Sequence, residues 1–223
     1  MLSSGELSYE GCYGMSYEIK IFINCNMLIK HFHRRNLPHL YYNEGIYFVT
    51  FRLYGSLHQE ELKKLHLLQL NQNLHPAKQK KIFKKYDLLL DYPVNNILYL
   101  EQPEIMEICK SSIHYYDGKE YKLICYCIMP NHVHLVFELL SKEKNVGEII
   151  GSIKKYSARI ANKMLKRKGT FWQAESFDRL VRDEVELYFT IKYVLLNPVS
   201  AGLVKNWKEW NGTYCYPAYL VID

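Results

Sequence analysis

The order of elements along this chain predicts an α+β class, and three observations carry that reading. The stretch Gly45-Ile-Tyr-Phe-Val-Thr-Phe-Arg-Leu53 is dense in β-branched and aromatic residues after a polar turn, so it reads as a strand. Two apolar runs, Tyr121 to Met129 and His132 to Leu139, are separated by Pro130-Asn131 and read as an antiparallel pair or one kinked strand. From Asn145 to Arg167 the residues Val146, Ile149, Ile150, Ile153, Ile160 and Met164 fall at helical spacing.

Residues 1 to about 30 show no clear period, and 1–33 are taken as an unassigned N-terminal extension. Gly55-Ser56 ends the first strand, after which Glu60 to Leu70 has a helical pattern. Residues 71–100 mix the run Lys78-Gln-Lys-Lys-Ile-Phe-Lys-Lys85 with Asp, Asn and Pro, and are read as an inserted helix and irregular connection. A lysine run of this kind is a solvated helix face more often than a groove for DNA. Pro103 suits the first turn of a helix running to about Tyr116, and Asp117-Gly118 signals a turn. Gly169 stops the long helix, Thr170 to Val181 reads as strand or loop, and Asp183-Glu184 opens a last helix that Pro198 is expected to end near Asn197. Trp207 and Trp210 are read as packing residues, and 211–223 as a C-terminal tail.

A length of 223 residues is enough for a substantial core and suits one domain with additions. With 48% hydrophobic and 23% charged residues the chain has globular rather than disordered composition. Net charge of +6 has the sign that suits a polyanion, and 20 Tyr with 9 Phe supply faces on which unstacked bases can lie, although core packing accounts for most of them. The six cysteines, at 12, 25, 109, 125, 127 and 215, form no CxxC pair and no secretory signal is recognised, so reduced cytosolic thiols are expected. Cys125 and Cys127 are read as packing residues. No apolar stretch is long enough to span a bilayer, and a cytoplasmic protein is expected.

His132-Val133-His134 places two imidazoles at i and i+2 of a strand, on one side of the sheet, which is how a strand offers two nitrogens to one divalent metal. Such a pair alone is equally compatible with ordinary hydrogen-bonded histidines. Tyr193 and Asn197 stand four apart on the last helix, so a phenol and an amide share a face. Together these groups suit phosphodiester transesterification: a phenolate attacks a phosphate whose oxygens a metal polarises. Either helix residue could instead be simple packing or a helix end.

Several segments, in order, resemble the REP-associated tyrosine transposases, a branch of the single-tyrosine HUH transposases. They are Arg34-Arg-Asn-Leu-Pro-His39, Ile46 to Leu53, Ile128-Met-Pro-Asn-His-Val-His-Leu135, and Lys155-Tyr-Ser-Ala-Arg159 with Asn162. Phe171-Trp-Gln173, Glu175-Ser-Phe-Asp178, Val181-Arg-Asp183, Tyr193-Val-Leu-Leu-Asn-Pro198 and Ala201-Gly-Leu-Val204 continue the series, so the resemblance covers about 34–210. It implies a catalytic domain over those residues with a ferredoxin-like HUH core, in which an antiparallel sheet carries the histidine pair and helices cover one face. It also implies His132, His134 and Asn197 as ligands of Mg²⁺ or Mn²⁺, and Tyr193 as the nucleophile that becomes linked to a DNA 5′ phosphate. Where family members often show Tyr in the Glu-Ser-x-Asp segment this chain has Phe177, read as a packing substitution. Tyr156 is the next candidate nucleophile.

Members of the family act on single strands beside hairpins, so the expected partner is single-stranded or hairpin DNA, bound by a monomer or homodimer. Lys154, Lys155, Arg159 and Lys163 are the candidate phosphate contacts, with Arg34 and Arg35 as an arm and Arg179 or Arg182 near the active face. Two alternatives are a recruited hairpin-binding relative that no longer cuts, and a phosphodiesterase using His132 and His134 as acid and base without metal.

Overall fold

The computed structural model describes residues 29–34, 38–42, 44–58, 60, 85, 86, 88–90, 96–220 and 222, with backbone alone for those before 44. The expected helix at 60–70 and most of the 71–100 stretch lie outside the described residues, as does Arg35; of Arg34 the backbone is described.

Strands β1 (Ile29–Arg34) and β2 (Pro38–Tyr42) pair as a two-stranded antiparallel sheet. Both fall in or beside the segment read as an extension, where hydrophobic period gave no signal. The main sheet has five antiparallel strands: β3 (Gly45–Arg52), β4 (Tyr121–Ile128), β5 (His132–Leu139), β6 (Phe177–Val181) and β7 (Thr213–Cys215). Their order is β6-β3-β5-β4-β7, so β5 is the central strand. The two apolar runs form an antiparallel pair, with Ile128 opposite Val133 across the turn.

Helices α1 (Pro103–His114) and α2 (Val146–Met164) contribute Ile105, Met106, Ile149 and Ile153 to a core with Tyr47, Val49, Phe51, Val133, Leu135 and Phe137. Helix α3 (Glu184–Ser200) contributes Leu187, Ile191, Val194 and Leu195 to a second core with Ile46, Phe48, Cys127 and Val136. These strand residues alternate, so the two cores lie on opposite faces of one sheet. Helices therefore cover both faces rather than one. Burial on both sides explains why β4 and β5 read as nearly continuous apolar runs and not as alternating strands. A register shift between Leu123 and Cys125 puts Ile124 and Cys125 both in the α3 core.

Local chemistry sets the helix ends. Asn145 accepts from the Glu148 backbone N–H at 3.0 Å while the Glu148 carboxylate accepts from the Asn145 N–H at 2.7 Å, a reciprocal cap that starts α2. Asp183 accepts from the Glu186 N–H at 2.7 Å and starts α3. Pro198 does not end α3, which runs to Ser200. One ladder bond is forfeited there, but the Ala201 and Leu203 N–H groups still reach the Asn197 and Pro198 carbonyls, both at 2.9 Å. The C-terminal residues are part of the sheet: β7 pairs with β4, and Trp210 Nε1 donates to the Ile128 carbonyl at 2.8 Å. Among the described residues no helix is long and apolar enough to cross a membrane.

Candidate active site

Because Phe48, Thr50 and Arg52 of β3 oppose Val136, His134 and His132 of β5, all six side chains stand on the face that α3 covers. The strand alternation thus delivers both histidines to one place, and the fold buries them to 1% and 0% exposure. Their Nε2 atoms are 3.0 Å apart. Burial, reinforced by His134, holds His132 well below the usual imidazole value; burial alone pushes His134 down to about 3. Both rings are therefore neutral at pH 7.

Hydrogen bonds orient the rings. Asn131 Nδ2 donates to the Leu90 carbonyl at 2.9 Å, which leaves Asn131 Oδ1 as the acceptor 2.5 Å from His132 Nδ1. His132 Nδ1 must then carry its proton, so Nε2 presents a lone pair. Thr50 Oγ1 lies 2.9 Å from His134 Nδ1. When that nitrogen donates to Thr50, two bare Nε2 lone pairs face one another, and a cation beside them or the Tyr193 hydroxyl, 3.4 Å from His134 Nε2, would relieve the repulsion. When Thr50 donates instead, His134 Nε2–H bonds to His132.

Tyr193, half-buried on α3, enters from the helix layer with its hydroxyl 3.4 Å from His134 Nε2. Its ring meets His134 and Phe48 edge-on, at centroid separations of 5.3 and 6.0 Å. Asn197, one turn on, donates from Nδ2 to the Tyr193 hydroxyl at 3.2 Å. Asn197 is 4% exposed, yet among the described residues its Oδ1 has no hydrogen-bond partner. A buried carbonyl oxygen left without a partner is costly, so this oxygen is available to a further donor or cation.

The remaining predicted residues divide. Arg179, on β6 opposite Phe48, lies over the Phe48 ring at 5.2 Å and donates to Thr190 at 3.0 Å and to Glu186. Burial lowers its proton affinity, while Glu186 and the neighbouring Tyr193 raise it. Arg182 is exposed and pairs with Glu186 at 3.0 Å. Lys155, Arg159 and Lys163 are exposed on α2, across the sheet from the histidines. Tyr156 sits there too, 47% exposed, and is not brought to the histidine pair.

Lys154 is a correction. It is 8% exposed, and its ammonium donates to the Gln173, Ala174 and Glu175 carbonyls and to Ser176 Oγ at 3.0, 3.3, 3.4 and 2.6 Å. Its position on the apolar stripe of α2, one residue after Ile153, turns it inward to tie down the loop before β6. Phe177 stacks on Tyr86 at 6.3 Å and opposes Thr50.

Sequence reasoning assigned no role to Thr50, Asn131 or Arg52. The signal for Asn131 was its place beside His132. For Thr50 and Arg52 it required the pairing register. Among the described residues no cluster of three His, Cys, Asp or Glu forms, and the amide of Asn197 is the polar group that joins the histidines and Tyr193.

A family model described as "Transposase IS200 like" matches residues 99–195, which include both histidines and Tyr193 but stop short of Asn197. A putative REP-associated tyrosine transposase of Haemophilus influenzae is 27% identical over 99 residues, 40% of this chain and 56% of that protein, so the match spans little more than half of the relative. A solved structure of a REP-associated tyrosine transposase bound to a REP hairpin shares the fold, with a TM-score of 0.53 at 16% identity, covering 86% of this chain and 93% of that one. Over residues 99–195 this chain is thus similar to the IS200-like transposases, and it resembles the REP-associated tyrosine transposases in sequence over part of its length and in fold.

Proposed function

We propose that the chain is a transposase-like nuclease and strand-transferase that cleaves single-stranded DNA beside hairpins through a covalent 5′-phosphotyrosine at Tyr193. The observation that carries this reading is the convergence of His132, His134, Tyr193 and Asn197, from a strand and a helix 59 residues apart, within hydrogen-bond reach of one another. The relative's name and the hairpin in the neighbouring structure support DNA as the partner.

The donor set fits a divalent cation. Two neutral imidazole nitrogens 3.0 Å apart could both reach one cation, and the Asn197 amide, which meets the Tyr193 hydroxyl, would add a hard oxygen. His132, His134 and Asn197 would hold Mg²⁺ or Mn²⁺, which supplies Lewis-acid polarisation of the phosphate oxygens.

The Tyr193 hydroxyl meets His134 Nε2 at 3.4 Å and accepts from Asn197 Nδ2 at 3.2 Å. Arg179, paired with Glu186, interacts electrostatically with Tyr193. The Tyr193 oxygen forms a bond to phosphorus as the bond from phosphorus to the 3′ oxygen breaks; the phenol proton goes to solvent and the leaving oxygen takes one up. The phosphotyrosine bond conserves the energy for rejoining, so no oxidant or nucleotide is consumed. Burial weighs against the acid–base alternative, since neither imidazole holds the second proton that a general acid needs at neutral pH.

The test is incubation with hairpin-bearing single-stranded oligonucleotides, taken from sequence flanking the gene, with Mg²⁺ or Mn²⁺. The expected result is an SDS-resistant adduct that disappears in Tyr193→Phe and His132→Ala. An adduct that survives Tyr193→Phe moves the nucleophile elsewhere, and binding without any adduct supports the recruited hairpin-binding protein.

A further inference from the structure

We propose that Arg52 is a phosphate-binding residue of this site, its guanidinium taking a non-bridging oxygen of a backbone phosphate beside the histidine pair. The proposal rests on the reading that the site acts on a phosphodiester. Arg52 is the last residue of β3 and stands directly opposite His132, so both side chains project from the α3 face. It is 2% exposed, among the largest fully buried side chains of the protein.

What surrounds the guanidinium is unusual for a buried cation. Nη1 donates to the Leu53 carbonyl at 3.2 Å and to Ser56 Oγ at 3.3 Å, both neutral. Among the described residues no carboxylate pairs with it, and Nε and Nη2 find no acceptor there. Acidic groups on this face are committed or distant. Glu186 accepts from both Arg179 and Arg182. Glu138 shares the face but lies six residues along β5 from His132, roughly 20 Å away at about 3.3 Å per residue. Asp178, opposite Val49, and Glu175, in the loop that Lys154 ties down, act electrostatically on Lys154, and among the described residues neither forms an ion pair with Arg52.

Buried arginines are ordinarily paired, because two neutral hydrogen bonds only partly replace the hydration of a guanidinium. The charge of Arg52 is felt by its surroundings: after burial, it is the largest influence lowering the proton affinity of Lys154. The fixed fork of a guanidinium matches the oxygens of a phosphate, and Arg52 departs from the strand position directly opposite His132. Neither histidine nor Asn197 brings negative charge, and a phosphodiester oxygen would supply the anion that Arg52 lacks among the described residues. A purely structural Arg52, closing the 53–56 turn, would need the two Nη1 bonds and nothing more.

The experiment uses the full chain and inorganic phosphate as probe, read by thermal unfolding, with the rate of adduct formation at saturating oligonucleotide measured in parallel. Arg52→Gln keeps an N–H for the Leu53 carbonyl and removes the charge; Arg52→Lys keeps the charge and removes the fork. The expected result is that phosphate raises the melting temperature of the wild type but not of Arg52→Gln. The adduct rate should fall about 100-fold in Arg52→Gln, in line with loss of one preorganised oxyanion donor, and recover in part in Arg52→Lys. A wild type that gains nothing from phosphate, or an Arg52→Gln that gains as much, overturns the proposal. Should Arg52→Gln fail to fold, Arg52→Lys decides: an adduct rate equal to wild type assigns Arg52 to the turn alone. If no protein forms an adduct while the phosphate shift vanishes in Arg52→Gln, the anion site stands and the transesterification reading falls. Equal adduct rates in wild type and Arg52→Gln leave that reading intact and sink this one.

Discussion

Thr50 Oγ1 lies 2.9 Å from His134 Nδ1, a contact between β3 and β5 that bridges 84 residues of sequence and governs which nitrogen of the histidine faces its neighbour. With the Nδ1 proton donated to Thr50, His134 joins His132 in presenting a bare Nε2. Replacing Thr50 by the isosteric Val removes that acceptor. We expect Mn²⁺ affinity, measured by calorimetry, to fall about 10–100-fold, as for other residues that orient metal-bound imidazoles. An unchanged affinity would show that Thr50 is only packing.

Asn197 Oδ1 is buried without a partner among the described residues, so its removal should help the ion-free protein and harm the ion-bound one. Asn197→Leu should unfold at higher denaturant than wild type without divalent ions, by about 1 kcal/mol, the order of the penalty for an unmet buried acceptor. In the wild type, saturating Mn²⁺ should add about 2.7 kcal/mol at a hundredfold excess over Kd, an increment the variant should lose. A variant that keeps the full Mn²⁺ increment excludes Asn197 as a ligand.

Lys154 makes stability depend on pH in a direction that can be worked out. Burial, then the charge of Arg52, lowers its folded value from the usual 10.5 to about 7. Between those limits the unfolded chain binds the proton that the folded chain has released, so its contribution to stability rises with pH from about 7 toward 10.5, and the full penalty is present below about 7. Urea titrations at pH 7 and pH 8.5 should therefore show wild type gaining on Lys154→Met by up to about 1.4 kcal/mol per pH unit. Parallel curves would mean that the loop carbonyls keep the ammonium charged throughout.

The basic residues of α2 lie across the sheet from Tyr193, which separates binding from chemistry. Changing Lys155, Arg159 and Lys163 together to Gln should weaken single-strand binding and reduce its log–log salt slope by about 0.7 for each phosphate that is no longer neutralised. The adduct rate at saturating DNA should stay within about twofold of wild type. A large fall in that saturated rate would place this face against the reacting strand.

Much of the fold is legible in local pattern. The strand at 45–52, the pair at 121–128 and 132–139, and the long helix from Asn145 follow from residue type, turn chemistry and capping. Strand alternation alone puts His132 and His134 on one face, and helical spacing puts Tyr193 and Asn197 on another. The pairing of β1 with β2 and the edge strand β7 were not legible, because short strands without strong alternation take their stability from the partner they pair with. Pro198 misled for a related reason: near the end of α3 it forfeits one bond, and packing of Val194, Leu195 and Asn197 holds the helix past it.

By itself the sequence determined which side chains share a face, since the periods of strand and helix are properties of the local backbone. Only the tertiary structure decided what each face meets. Register set Thr50 against His134 and Arg52 against His132. Helix packing brought Tyr193 to the histidines and took Lys154 inside. Burial, hydrogen-bond partners and counter-charges come from segments distant in the chain. No local pattern could therefore reveal that the histidines are neutral, that Asn197 Oδ1 is orphaned, or that Arg52 meets no carboxylate among the described residues.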